Sequence, residues 1–329
     1  MKKKHHSPPI FYLRKFTTLE PKKMIWTFDM EKDDPRCSTV ENTAYIKYDY
    51  SMTSSEGKRL DHLEELIANK EKNAAPVHDK LISGVKITDQ ERVDYASFMA
   101  IMLVRTHAFR QQYADIGMNL LQLQMYTAAK REDSFKSYVK QYERDCGPLS
   151  EDQVENLRQG MLNPHKYTIS VDKEWTLKAL GFHDDIFPVF FDMNWSVMEA
   201  RGSCYFITSD NPLIFNVPSK HCNPLSGGGL THKKVEVTFP LSMKTCLLAT
   251  WDKKRPNRFE INDDIVKGMN QNRAAYAKRF LYSPRNDIDI ERLKDKFKEI
   301  NPSLKFSGFQ SVEWSPVTLR RSKSNEIED

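Results

Sequence analysis

Several polar side chains sit where chemistry would need them. The run Tyr205-Phe206-Ile207-Thr208 is followed by Ser209-Asp210-Asn211-Pro212. That places the carboxylate of Asp210 and the amide of Asn211 at a strand end, where ligands are commonly held. The same residues also make a turn without any ligand: Pro212 pushes Asn211 out of the helical region, and Ser and Asp side chains bond the amides that follow. Glu64 and Glu71 are seven residues apart with Ala68 between them, so on a helix both carboxylates share one face. Such a pair can hold a divalent metal, share acid–base work, or simply partner Lys70 and Lys72. Arg105 ends the apolar run at 95–104, and a guanidinium there needs a carboxylate or a phosphate. His6 precedes Pro8 and Pro9, with Tyr12 and Leu13 poised to enter a core; the imidazole would stay near their polar edge, as an acid–base group or as a packed residue.

Three-element serine chemistry is the sharper alternative for the strand end. The acyl-transferring serine enzymes use S-x-x-K, S-D-N and K-T-G in that order. Here Ser55-Glu56-Gly57-Lys58, Ser209-Asp210-Asn211 and Lys244-Thr245-Cys246 follow the order. The third element lacks its glycine, and the first lies in a polar loop rather than at the head of a buried helix, so Ser209 is not read as a nucleophile. The glycines of "PLSGGGLTHKK" lack the order that cradles phosphates and read as a hairpin loop, and there is no zinc, zincin, nucleophile-elbow or dinucleotide fingerprint.

The elements that position these residues fall into three stretches. Residues 1–50 read as strands, with Met24, Trp26 and Phe28 alternating with Ile25, Thr27 and Asp29. From Asp61 helical spacing takes over, interrupted at Pro76; Thr88 with Glu91 forms a capping box for a helix running from Asp89 to about Lys130, and Ser150 caps another. After Phe187, "FPVFFDM", "WSVMEA", "CYFITSD", "VEVTFPLS" and "TCLLATWD" read as one antiparallel sheet, then two late helices about a short strand "FLYS". The expected fold is therefore α+β in a single unit over 1–329. It has N-terminal strands, a helical middle at about 60–185, a mainly β part at 186–300, and a disordered tail at 315–329. With 39% hydrophobic residues the chain can bury a core, and 50 Lys+Arg against 45 Asp+Glu permits a nucleic acid or nucleotide partner without demanding one. The longest apolar run is about half the ~20 residues a membrane span needs. Five scattered cysteines suit a reducing compartment, so the expected location is cytoplasmic, with no membrane partner.

Taken together, "HHSPPIFYLRKF", "MIWTFDMEKDDPRCSTVENTAYIKYDY", "LEELIANKE", "MLVRTHAFR", "YFITSDNPLIF", "FPLS" and "NQNRAAYAKRF" resemble, in that order, a mainly bacterial family, domain of unknown function 4238, from about His6 to Lys296. The resemblance matches His6, Pro9, Tyr12 and Leu13 to its opening segment, Asp29 to a strand end, and Glu64 and Glu71 to a helix with two glutamates. It matches Arg105 to an Arg-Thr-Pro step, Ser209 to Pro212 to an S-D-N-P corner, and Asn270 to a late helix. One departure is plain: His107 stands where that step has Pro. The family supplies no function, but its polar positions lie on separate elements, which implies one pocket where helices meet sheet. In that pocket His6, Glu64, Glu71, Arg105 and Asp210 would be catalytic, Tyr12, Asn211 and Asn270 would bind substrate, and the carboxylates would anchor Arg105 or a divalent metal. Two classes stay open: a hydrolase or nuclease-like enzyme acting on a phosphodiester or nucleotide, and a non-catalytic binding protein whose polar networks lock the fold.

Overall fold

The computed structural model describes residues 4–18, 23–53, 59–166, 171–217 and 229–298. The expected tail, the Ser55–Lys58 element and residues 224–228 of the glycine loop lie outside the described residues. From the N-terminus come β1 (Lys4–His6), α1 (Ile10–Leu13), β2 (Met24–Asp29), β3 (Arg36–Thr39), β4 (Tyr45–Lys47), β5 (Met52–Thr53) and β6 (Arg59–Leu60). The helical stretch is α2 (His62–Ser83), α3 (Asp89–Val104), α4 (His107–Lys130), α5 (Glu132–Cys146), α6 (Glu151–Leu162), α7 (Lys173–Leu177) and α8 (His183–Asp192). Then follow β7 (Asn194–Ala200), β8 (Thr208–Ser209), β9 (Ile214–Asn216), β10 (Glu236–Pro240), β11 (Thr245–Thr250), β12 (Arg258–Ile261), α9 (Asp263–Tyr276), β13 (Phe280–Ser283) and α10 (Ile288–Phe297). The fold is α+β, as expected.

Local chemistry explains most boundaries and three corrections. Thr88 and Glu91 close a reciprocal capping box on α3, and Ser150 with Gln153 does so on α6. The single helix expected from Asp89 to Lys130 is two. Thr106 adopts extended backbone and its hydroxyl accepts from the Phe109 amide at 3.2 Å, starting α4 afresh. Conversely, α2 runs unbroken through Pro76, because the lost amide bond is outweighed by burial of Ala74, Val77, His78 and Leu81 on either side. The segment "FPVFFDM" is the end of helix α8 rather than a strand, with Phe190 buried and Pro188 tolerated inside it.

The expected single antiparallel sheet is two sheets among the described residues. One has the order β12-β7-β11-β10-β9 and is antiparallel except for the β12–β7 pair. The other, β3-β2-β13-β8, joins the N-terminal strands to the C-terminal ones through Phe280↔Asp29 and Leu281↔Ser209. In β2 it is Ile25, Thr27, Phe28 and Asp29 that are buried, while Met24 and Trp26 are half-buried, so the polar side of the alternation faces inward.

The main core lies between the helices α2, α3 and α8 and the five-stranded sheet. Phe239 stacks on Tyr12 with centroids 5.2 Å apart and packs near Phe98 and Tyr95. The His78 imidazole bridges the layers: its Nε2–H donates to the Leu241 carbonyl at 2.8 Å, so its Nδ1 accepts from the Tyr95 hydroxyl at 2.7 Å. Burial pushes this imidazole down to about 4, which keeps it neutral. A second core of Phe28, Ile207, Ala274, Leu281 and Ile290 lies between the four-stranded sheet and α9 and α10. Arg258 of β12 clamps the end of α2. It donates to the Leu81 and Ile82 carbonyls at 3.2 and 2.6 Å while pairing with Glu199, and it packs over Gly84, whose left-handed φ of 77° ends the helix.

Candidate functional site

A cavity of about 960 Å³ lies beside the break at Thr106. Its walls come from the β1–β4 ribbon, from β2, β3 and β13, and from the α3–α4 junction. Five cationic side chains line it, Arg36, Arg105, Arg110, Lys278 and Arg279, against three acidic ones, Glu31, Asp49 and Asp210. Tyr45, Phe280 and Tyr282 add aromatic surface, and His5 and His107 add imidazoles.

Arg105 ends α3 with its side chain fully buried. Its Nη1 donates to Glu71 Oε1 at 2.5 Å and its Nη2 to Met102 Sδ at 3.0 Å, while Nε is buried without a partner. Burial works against the charge, but Glu71 and Tyr50 outweigh it and hold the guanidinium above its ordinary pKa. One turn into α4, Arg110 donates to Asp49 Oδ2 at 2.8 Å, and its Nε is likewise buried and unpaired. His107 opens α4 between these arginines. Burial lowers its pKa first, and Arg110 on its own helix and Lys278 on the opposite wall lower it further.

The opposite wall hangs on the S-D-N-P corner. Asp210 accepts the backbone amides of Lys278, Arg279 and Phe280 at 2.9, 2.8 and 3.1 Å, so it clamps the turn that presents Lys278 and Arg279. Burial nevertheless pushes its carboxyl up to about 6, against the pull of those amides. Arg279 forks onto Asp29 with two bonds of 2.9 Å and reaches Glu31 at 2.9 Å. Burial raises the Asp29 pKa and the Arg279 fork lowers it, with a net shift downward.

The residues expected to share one pocket divide. Arg105 and Asp210 line the cavity, and Glu71 reaches it only through Arg105. His6 is not among the lining residues. Its Nδ1–H donates to the Thr43 carbonyl at 3.0 Å and its ring leans on Tyr45. Its neighbour His5 takes the cavity position, with Nδ1 accepting from the Tyr50 amide at 3.0 Å and lying 3.7 Å from Glu64 Oε2. Strand alternation allows only one of two adjacent histidines to face inward.

Tyr12 is buried in the main core, its hydroxyl 2.7 Å from Thr208 Oγ1, with burial raising the phenol pKa. Asn211 Nδ2 donates to the Tyr276 carbonyl at 3.1 Å, and Asn270 bridges Tyr205 O and the Ile207 amide. None of these three lines the cavity. Ser209 ends β8, and its hydroxyl, hydrogen-bonded to both N and O of Asn211, holds the turn that follows. Glu64 and Glu71 turn to different partners, and no group of three or more metal-ligating side chains exists among the described residues. Sequence reading did not find Arg36, Asp49, His107 as a lining residue, Arg110, Lys278 or Arg279. Only His107 carried a signal, as the residue departing from the Arg-Thr-Pro step.

A family model described as a protein of unknown function (DUF4238) matches residues 4–287, which span the whole cavity wall. The chain belongs to the DUF4238 family. No curated protein and no solved structure matches it. Within this DUF4238 chain no described helix is long and apolar enough to cross a membrane.

Proposed function

We propose that this DUF4238 protein binds a phosphate-bearing ligand of mononucleotide size in the cavity and hydrolyses a phosphoester bond there. The observation that carries the reading is the convergence of five cationic side chains, Arg36, Arg105, Arg110, Lys278 and Arg279, on one cavity. A phosphate oxygen is the acceptor that guanidinium geometry suits best. The cavity volume lies within the range of small-molecule sites, and Tyr45 and Phe280 offer faces for a base. His107, whose pKa is lowered by burial of the ring and by its cationic neighbours, would take the proton of an attacking water as the new P–O bond forms. The cations would stabilise the negative charge on the equatorial phosphoryl oxygens and on the leaving oxygen, which departs as an anion and takes a proton from solvent. The free thiols of Cys37, Cys146, Cys204 and Cys246 suit the reducing cytoplasm in which we place the protein.

The non-catalytic reading is favoured by a different observation: both Asp210 oxygens and Glu71 Oε1 are already engaged in holding the wall together. Calorimetry with AMP, ATP and inorganic phosphate, alongside mass spectrometry of the incubated nucleotides, separates the two. Binding that weakens with salt and in Arg110→Gln, with product formed and lost in His107→Gln, supports hydrolysis. Binding without product supports the binder, and absence of any binding overturns both.

A further inference from the structure

Away from the cavity, three helices bring together a serine, a histidine, an aspartate and a lysine. Ser97 lies on α3 in a half-buried position, facing α8 and α2. Its Oγ is 2.9 Å from His183 Nε2, and His183 Nδ1 is 2.8 Å from Asp184 Oδ1. Lys70 Nζ of α2 donates to the same Oγ at 2.8 Å. The proton positions follow from these partners. An ionised carboxylate beside Nδ1 requires that nitrogen to carry the proton, which leaves Nε2 as an acceptor. The ammonium of Lys70 can only donate, so it occupies an Oγ lone pair, and the Ser97 hydroxyl hydrogen points at Nε2. Every link therefore runs in the direction that strips a proton from serine.

Two further features fit a reacting group better than a static one. His183 Nε2 also lies 3.2 Å from the Ser97 carbonyl, so a proton received from Oγ has a second acceptor waiting. The imidazole is otherwise held in place, buried and stacked on Phe187 at 5.8 Å between centroids. The geometry points to Ser97 as the nucleophile of a second site, with His183 as its general base and Asp184 as a positioning residue, acting on acyl or phosphoryl donors that carry a good leaving group.

In the step, Oγ forms a bond to the carbonyl carbon as its proton moves to Nε2. The bond to the leaving oxygen then breaks, and that oxygen takes the proton from Nε2. Water reverses the sequence, entering as the nucleophile and returning a proton to Oγ. Lys70 places a positive charge beside the oxygen where negative charge first develops. The Asp184 side chain is largely exposed, so its contribution is smaller than that of a buried carboxylate.

The test uses the full-length protein and an alkyl fluorophosphonate, which bonds to an activated serine oxygen through phosphorus and expels fluoride. Peptide mass mapping is expected to place one adduct on Ser97 in the wild type and none in Ser97→Ala. His183→Gln is expected to slow the labelling by at least about a hundredfold, the scale of a lost general base. Asp184→Asn is expected to slow it by only about fivefold, the scale of an exposed ion pair. A purely structural hydrogen-bond network predicts a lowered melting temperature in Ser97→Ala with no adduct on wild-type Ser97. That outcome, or labelling at an unchanged rate in folded His183→Gln, overturns the proposal. The wild-type measurement needs no variant to fold, and neither outcome bears on the phosphate cavity.

Discussion

Arg105 and Arg273 are both fully buried, and both leave Nε without a partner, yet their surroundings are opposite. Arg105 sits at a helix break, pairs with the half-exposed Glu71 and faces a cavity, and its pKa is raised. Arg273 on α9 has no carboxylate: it donates to the carbonyls of Asn211, Pro212 and Thr238, and burial lowers its pKa. The first is a charge neutralised by a single replaceable partner. The second ties the Asn211–Pro212 corner and strand β10 to one helix. A buried arginine is thus no mark of a ligand site unless open volume lies beside it.

The strongest test of that contrast is Arg273→Met, which strips donors from three buried carbonyls. A loss of about 3–5 kcal/mol is expected in urea unfolding, with phosphate affinity of the folded fraction unchanged. Weakened phosphate binding in this variant would break the comparison.

Next in size is the pH dependence set by two buried groups of opposite sign. The Asp210 carboxyl is raised from 3.8 to about 6, so its contribution is full below pH 3.8 and is lost as pH rises through 6. The His78 imidazole is lowered from 6.5 to about 4, so its contribution is full above pH 6.5 and is lost as pH falls through 4. Each swing is up to about 3 kcal/mol, and in the wild type they nearly cancel over pH 4–6. Chemical denaturation at stepped pH should therefore show stability rising with pH in Asp210→Asn and falling with pH in His78→Gln. Parallel profiles in the two variants would contradict the assignment.

Arg105→Met should cost less stability than Arg273→Met, about 2 kcal/mol, because the freed Glu71 reaches solvent. Phosphate binding measured by calorimetry should nevertheless fall at least about tenfold. The smallest effect belongs to Thr106→Ala, about 1 kcal/mol by thermal melting, the typical value of an N-cap.

These regions also show what could be read from sequence. The capping box at Thr88 and the N-cap at Ser150 were legible because their signal is local and self-contained. The Thr106 break was not, since apolar spacing continues across it with neither Gly nor Pro, and a lone N-cap threonine resembles any helical threonine. Phe190 and its neighbours read as strand because Phe and Val are strand formers, while helical packing against α3 decided otherwise. Asn211, Asn270 and Tyr12 were read as ligand-facing, yet they serve main-chain carbonyls and amides or a core hydroxyl. A side-chain amide satisfies either partner equally, so residue type alone does not distinguish them. The partner that a buried guanidinium at Arg105 demands was legible in kind, and Glu71 supplies it.

The clamp that Arg258 places on the end of α2 has a consequence for assembly of the sheet. The β12–β7 pair is the only parallel one among the described strands, and parallel edges carry no hairpin turn to set their register. A slip by one residue would turn Arg258 to the other face of the sheet and leave the Leu81 and Ile82 carbonyls without their donor. In the folded protein the helix end therefore admits β12 in one register, so Arg258 couples the end of α2 to the register of the parallel edge.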